Sequence, residues 1–363
     1  MIYPKNNEYR IVFNLNGIWR FQILKESYNP HIPLQNYIPM AVPASMNDLV
    51  TDINVQKHVG EVVYETEFSV PVNDGMEYRL RIGATSHKSN IYLNGEAIGE
   101  GINGFFPIDL PLKDLKRRNR LSVVIDNRLT AENFPAGRIK DGKQIITFDF
   151  YNFTGIHRDV LVYSVPRKNI KDVTIHTVVD GDYRKIKIDV DTSCDNVRFE
   201  LLDKEKNLVL DFDSSEVIID EPHLWSPADP YLYTLVVKSE CDRHEERFGI
   251  RKIEVKGDKL LLNDEPIYLK GFGMHEDFFL IGKGNCSAVN IRNFELLKWS
   301  NANSFRTSHY PYSEEIMDLA DEYGMLVIDE VPAVGMNNSE HNFGEEGANE
   351  NTRKLHKELI SQL

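Results

Sequence analysis

Apolar and polar positions alternate with a period of two in the runs Asn14–Gln22, Val62–Phe68, Tyr78–Ile82 and Leu121–Ile125, with turn residues between them. That period sends successive side chains to opposite faces of a strand, so each run predicts a half-buried β-strand. Between Asn90 and Ile98 the alternation is interrupted by Asn94-Gly95. This dipeptide accepts the positive φ angles of a type I′ turn and predicts a tight hairpin. Many short strands and no convincing helix predict a sandwich or a jelly roll over residues 1–166. The pattern continues, plainer, in Val173–Val179, Lys185–Val190 and Tyr231–Val237. Residues 167–252 are of a size that suits an immunoglobulin-like β-sandwich, and they carry no cluster of reactive side chains.

From residue 253 the period changes. Tyr268–Gly273 predicts a buried strand, Ile291, Phe294 and Leu297 recur at helical spacing, and Asn303–Ser308 is again strand-like. A clear amphipathic helix follows. Glu314 and Glu315 lie in its first turn, where the helix dipole favours anions; Ile316, Leu319, Ala320 and Tyr323 form one face, and Gly324 is placed to end it. Met325–Glu330 is nearly continuous in apolar residues up to its acidic end, the pattern of a parallel strand buried on both faces. A polar, acidic stretch from Gly335 to Asn351 precedes a last helix, Arg353–Ile360. Strands alternating with helices imply a parallel sheet. A (β/α)8 barrel takes about 250 residues, so if residues 253–363 belong to a barrel they offer only its first part, about three βα units. The expected architecture is multidomain β plus α/β, ending in an incomplete TIM barrel.

Composition narrows the function. The 363 residues contain 42 Lys+Arg against 56 Asp+Glu, a net charge of −14, with no basic tract. Nucleic-acid binding, which runs on neutralising phosphates, is therefore not expected. No apolar run approaches the ~18 residues of a membrane span, and the N-terminus has no secretory pattern, so neither membrane nor export is expected. Cys194, Cys241 and Cys286 are few, far apart and odd in number. They suggest neither a disulfide framework nor a zinc site, and point to a reducing, cytoplasmic location. The three Asn-x-Ser/Thr triplets at Asn152, Asn285 and Asn337 are then chance matches.

Catalytic side chains of a barrel gather at the C-terminal ends of its strands. Three clusters occupy such positions: His275-Glu276-Asp277, Arg306 through Tyr312 with His309 at its centre, and Asp329-Glu330. Each one alone fits a loop that caps or hydrogen-bonds. Together their aromatics and polar forks suit sugar rings, which have apolar faces and hydroxyl edges. In the first domain Asp149 stands among Phe148, Phe150, Tyr151 and Phe153. It is either a turn-forming Asp or a carboxylate in an aromatic-lined cleft. Serine-hydrolase elbow, P-loop, dinucleotide and HExxH zinc motifs are all missing from the sequence.

These stretches together resemble glycoside hydrolase family two, and within it the bacterial β-glucuronidases. They are Asp149–Arg158, His223–Tyr233, Gly271–Asp277, Ala302–Tyr312 and Val327–Glu330, in the family's order. The resemblance implies a sugar-binding jelly roll, an immunoglobulin-like domain and a catalytic barrel, acting on small glycosides without a cofactor or metal. It implies that Asp149 and His275 line the sugar pocket, with Arg306 and His309 at its floor. Retaining hydrolysis uses two glutamates about 5–5.5 Å apart, and in the family both follow later strands, so they are expected beyond residue 363. No catalytic residue is assigned here: Asn349-Glu350 lacks the preceding strand, and Glu330 matches neither position. The resemblance implies a β-glucuronidase of which this chain is an N-terminal, inactive portion. A β-galactosidase, another family-two specificity and a non-catalytic carbohydrate-binding scaffold are the alternatives. Implied partners are a second copy, as in a tetramer, or a complementing C-terminal segment. The stretch from Gly335 to Asn351 falls where some relatives carry a lid, and otherwise reads as a solvated loop.

Overall fold

A computed structural model of the chain describes residues 2–102, 104–130, 133–146, 148–334, 343–344, 347–348 and 350–361. The first alternating runs form two antiparallel sheets. One has six strands in the order Ile38–Val42, Gly17–Ile23, Glu61–Phe68, Asn119–Asp126, Lys88–Leu93, Glu96–Gly101. The other has four, in the order Ile11–Asn14, Val160–Pro166, Met76–Ile82, Ile108–Leu112. Their inner faces bury Trp19, Phe21, Tyr64, Leu80, Ile91, Val123 and Val162 in one core. Asn94 and Gly95 have φ of 55° and 99°, with Leu93 paired to Glu96, as the hairpin signal required.

The alternation is not strictly inside and outside. Val63 and Glu65, on the outer face of the six-stranded sheet, are also fully buried. The segment that carries Leu34 covers that face, and Glu65 accepts from Leu34 N–H at 3.2 Å and from Arg20 at 3.1 Å. A carboxylate can be buried there because it is paired and hydrogen-bonded.

The middle region packs a three-stranded sheet, Ile170–Thr177, Lys185–Thr192 and Glu216–Ile218, on a four-stranded one, Leu208–Phe212, Arg198–Leu202, Tyr233–Lys238 and Arg243–Phe248. Here one expectation fails. Cys194 and Cys241 are joined in a disulfide, Cα to Cα 6.3 Å, although 47 residues apart. Each follows a strand into a connection, and sandwich topology brings those connections together, a proximity that sequence spacing does not encode. Cys286 is free.

Three parallel strands follow: β1 (Gly271–Met274), β2 (Ser304–Thr307) and β3 (Leu326–Ile328), in that order. Helix α1 (Ser287–Trp299) joins β1 to β2 and helix α2 (Glu314–Tyr323) joins β2 to β3. The predicted burial of the outer strands is corrected. Phe272 of β1 is 57% exposed and Ile328 of β3 is 48% exposed. Among the described residues both are edge strands with one neighbour each, and only β2 is flanked on both sides. In α1, Phe294 and Leu297 are buried, whereas Ile291 faces outward. The face of α2 is as predicted through Ile316, Leu319 and Ala320, and Gly324 ends it in the left-handed conformation at φ 71°. A last helix, α3, spans Glu350–Ile360. Most of the acidic stretch, including Asn349, the glutamates at 340, 345 and 346 and the triplet at Asn337, lies outside the described residues. No helix among the described residues is long and apolar enough to cross a membrane.

Candidate functional site

The ends of β1 and β2 face a loop of the jelly roll, and the contact is built around a buried ion pair. Arg158 follows the short strand Gly155–Ile156 and donates to Glu276 at 2.7 Å and to the Phe105 carbonyl at 2.8 Å. Glu276, just past β1, also accepts from the N–H of Ser313, the N-cap residue of α2, at 3.0 Å. Both side chains are less than 10% exposed. One carboxylate therefore ties the jelly roll, β1 and the start of α2 together. Losing either partner would leave the other charge buried and unmatched, which fixes the geometry strongly.

Above this pair the aromatics interlock. Phe105 of the jelly roll stacks on Tyr310 with ring centroids 4.4 Å apart. Phe150 lies 5.7 Å from Tyr310, 5.6 Å from the His275 ring and 6.0 Å from the His309 ring, and contacts Phe148 at 4.4 Å. The two histidine rings are 5.8 Å apart. Of the four aromatics flanking Asp149, Phe150 is the one whose ring meets these barrel groups; Tyr151 and Phe153 pair with each other at 5.0 Å.

Asp149, His275, Arg306 and His309, expected from sequence to share a pocket, are brought together. Asp149 projects into solvent, 86% exposed, with Oδ1 3.6 Å from His309 Nε2. His309 Nδ1 lies 2.9 Å from an Arg306 guanidinium nitrogen. Nδ1 thus meets a guanidinium that only donates, and Nε2 is the nitrogen that faces Asp149. Arg306 in turn grips Glu330, just beyond β3, through Nε and through Nη2 at 3.2 Å. Glu330 also lies 3.3 Å from His309 Nδ1. The Glu330 carboxylate pushes the Arg306 pKa up, so the guanidinium stays charged. Thr307 Oγ1 donates to Asp329 at 2.8 Å and accepts from Glu330 N–H at 2.9 Å, which anchors the end of β3 to β2.

His275 is half-buried. Burial holds its pKa below the usual imidazole range; Lys283 and His309 add to that, while Asp277 and Asp149 oppose it. Its Nδ1 is 3.4 Å from the Tyr310 hydroxyl. Deeper still, burial lowers the His87 pKa to about 4 and places His157 well below its ordinary value. His87 Nε2 meets Asn152 Oδ1 at 2.6 Å and His157 Nδ1 meets Ser86 Oγ at 3.2 Å, so the Asp149 loop is braced from below by neutral histidines.

Sequence reasoning missed the parts that hold the site. Glu330 was noticed at a strand end, but nothing in its spacing showed that it pairs with Arg306. Arg158–Glu276 joins residues 118 positions apart and leaves no sequence signal. Lys283, a lysine 3% exposed, belongs to none of the clusters or motifs that the sequence offers. Among the described residues no group of three or more His, Cys, Asp or Glu is arranged to hold a metal ion.

A jelly-roll loop set against barrel strand ends, with a sandwich between the two in sequence, defines a class, and comparison with known proteins agrees with it. Residues 12–166 match the sugar binding domain of glycosyl hydrolases family 2, residues 158–251 match that family's middle region, and residues 253–363 match its TIM barrel domain. The chain belongs to glycosyl hydrolases family 2. A β-glucuronidase of Paenibacillus borealis is 38% identical across all of this chain, which spans 66% of that protein. Among solved structures, a β-glucuronidase of an uncultured Clostridium superposes with a TM-score of 0.93 at 38% identity; this chain is covered completely, that one to 65%. A β-glucuronidase of Bifidobacterium dentium, solved with coumarin-3-O-glucuronide, gives a TM-score of 0.91 at 35% identity, covering 99% of this chain and 66% of that one. The chain thus spans just under two thirds of the length of these relatives.

Proposed function

We propose that this chain carries the sugar-binding wall of a retaining β-glucuronidase, a hydrolase of β-D-glucuronides. The observation that carries the reading is the meeting of Asp149, from the jelly roll, with His275, Arg306 and His309, from the barrel. In this reading Asp149 and the Nε2 edge of His309 take sugar hydroxyls, His275 lines the same wall, and Arg306 with His309 forms the floor. The glucuronide specificity is supported by the names of the relatives. Retention needs an acid and a nucleophile about 5–5.5 Å apart. Glu330 is engaged by Arg306 and His309 and acts as a positioning anion, so neither catalytic role is assigned within this chain. Its units are taken as 1–166, 167–252 and 253–363, in line with the sheet composition and the family matches.

The small-molecule partner is a glycoside, and a homo-oligomer or a complementing segment that covers the open edges of β1 and β3 belongs to the same proposal. So does the cytoplasmic location, against which the Cys194–Cys241 disulfide weighs; thiol counting with and without reductant, on protein purified from cells, decides it. Saccharide binding is tested by ligand-observed NMR with D-glucuronate and D-galactose. The expected result is weak binding, on the order of millimolar, that favours glucuronate and disappears in Asp149→Ala. Equal binding of both sugars would move the specificity elsewhere in the family. Binding that survives Asp149→Ala would remove this wall from the site.

A further inference from the structure

Among the described residues of the site region Lys283 is a buried lysine, and it touches none of the groups that would meet a sugar. It lies on a two-residue strand, Gly282–Lys283, paired antiparallel with Asp277–Phe278, directly after His275 and Glu276. The hairpin is stitched to the jelly roll: Ser45 Oγ donates to the Lys283 carbonyl at 2.7 Å, Ser45 N–H to the Ile281 carbonyl at 2.9 Å, and Asn285 N–H to the His157 carbonyl at 2.8 Å. Its Nζ lies 3.4 Å from the centre of the Tyr310 ring, 5.2 Å from that of Phe105 and 5.8 Å from that of Phe150. These rings come from both domains, and an ammonium taken out of water is drawn to their negative faces.

The Tyr310 hydroxyl has two neighbours. The Glu276 N–H donates to it at 3.3 Å, and His275 Nδ1 lies 3.4 Å away. With one lone pair engaged by Glu276, the hydroxyl keeps its proton and a second lone pair for Nδ1, and either direction of that bond fixes one tautomer and one orientation of the His275 ring. We propose that Lys283 is a positioning residue: its ammonium, seated on the Tyr310 ring between jelly roll and barrel, holds the Tyr310 hydroxyl where it orients His275 at the saccharide pocket. The part that concerns the saccharide rests on the proposed function; the part that concerns His275 does not.

The arrangement also places a cation behind His275. Burial lowers the Lys283 pKa to about 7; Glu276 and Asp277 oppose that shift and Arg158 adds to it. In the range where His275 titrates, Lys283 is charged and disfavours a second charge on the imidazole. His309 acts in the same sense, and Asp277 and Asp149 act against it. His87 and His157 feel the same cation.

The test is an NMR titration of the His275 ring in the full chain without ligand, its resonance identified by loss in His275→Gln. In Lys283→Met the midpoint rises by on the order of one pH unit, and in Lys283→Arg, which keeps the cation, it stays at the wild-type value. An unchanged midpoint in Lys283→Met overturns the proposal. Should that variant not fold, Tyr310→Phe is read instead, since it keeps the ring beneath the ammonium and deletes only the hydroxyl. The ring 15N shifts of His275 then move from those of a single tautomer toward a mixture; unchanged shifts overturn the proposal. No saccharide enters this experiment, so a failure to bind glucuronate leaves its outcome intact.

Discussion

Asp149 is almost wholly in solvent, yet its neighbours are all held. His309 is oriented by Arg306, Arg306 by Glu330, and the Phe150 ring by Tyr310 and the two histidines. An exposed carboxylate on a braced loop can exchange water for sugar hydroxyls at low cost, because its surroundings are already in place. A lost hydrogen bond to a charged group is worth ~1.5–3 kcal/mol. In the proposed hydrolase, Asp149→Ala and His275→Ala are each expected to lower kcat/KM on 4-nitrophenyl β-D-glucuronide by roughly 10- to 100-fold. Unchanged kinetics in both variants would take them out of the pocket. Glu330→Gln is a different case. Arg306 is nearly half exposed, so the ion pair adds about 1 kcal/mol or less to the fold. Thermal denaturation should barely change, while glucuronate binding weakens because Arg306 and His309 lose their anchor. Binding equal to wild type would mean that Glu330 positions nothing.

At the scale of elements, two features decide how the barrel strands meet the sandwiches. Gly324 ends α2 at φ 71°, and a Cβ there would lie 2.7 Å from the Pro227 carbonyl oxygen of the middle domain. Gly324→Ala meets both the left-handed strain and this contact, and is expected to cost ~1–3 kcal/mol, read as a fall in Tm. Arg158 is the second feature. Arg158→Met leaves Glu276 buried without its cation and is expected to destabilise by ~3–5 kcal/mol, and Arg158→Met/Glu276→Leu to recover part of that. A double variant no more stable than the single one would show that the pair is not what couples the domains. Element type and order were legible in the sequence because period two and the α2 stripe are local signals. Burial of β1 and β3 was not, because an apolar run records what a strand prefers and not how many neighbours it has. The Arg158–Glu276 pair and the Cys194–Cys241 bridge escaped for a related reason: each joins residues that only the chain's path through space brings together.

For the whole molecule, pH acts through the histidines buried where jelly roll meets barrel. The folded-state pKa of His87 is about 4, against an ordinary value near 6.5, and that of His157 is lowered too. Between those values the unfolded chain binds protons that the folded one refuses. Stability is therefore fully present above about pH 6.5 and is lost as pH falls toward 4, by about 3 kcal/mol for His87 alone. Thermal denaturation between pH 7 and 4.5 should show this fall, and His87→Gln should flatten it; an equal fall in the variant would place its origin in other groups. The purified chain is expected to release no 4-nitrophenol from 4-nitrophenyl β-D-glucuronide above a buffer blank, since neither catalytic carboxylate is assigned within it. Measurable turnover by the pure chain would overturn that assignment.

The sequence by itself determined the three kinds of unit in their order, the hairpin at Asn94-Gly95, the helix capped by Gly324 and four side chains that come together where jelly roll meets barrel. Those follow from local periodicity, from turn chemistry and from motifs that survive as short runs. Tertiary structure alone decided that Arg306 is gripped by Glu330, that Glu276 is shared by two domains and that Lys283 lies under Tyr310. Each depends on desolvation and on contacts between segments far apart in the chain, and a charged letter reads the same whether it ends in water or against an aromatic ring.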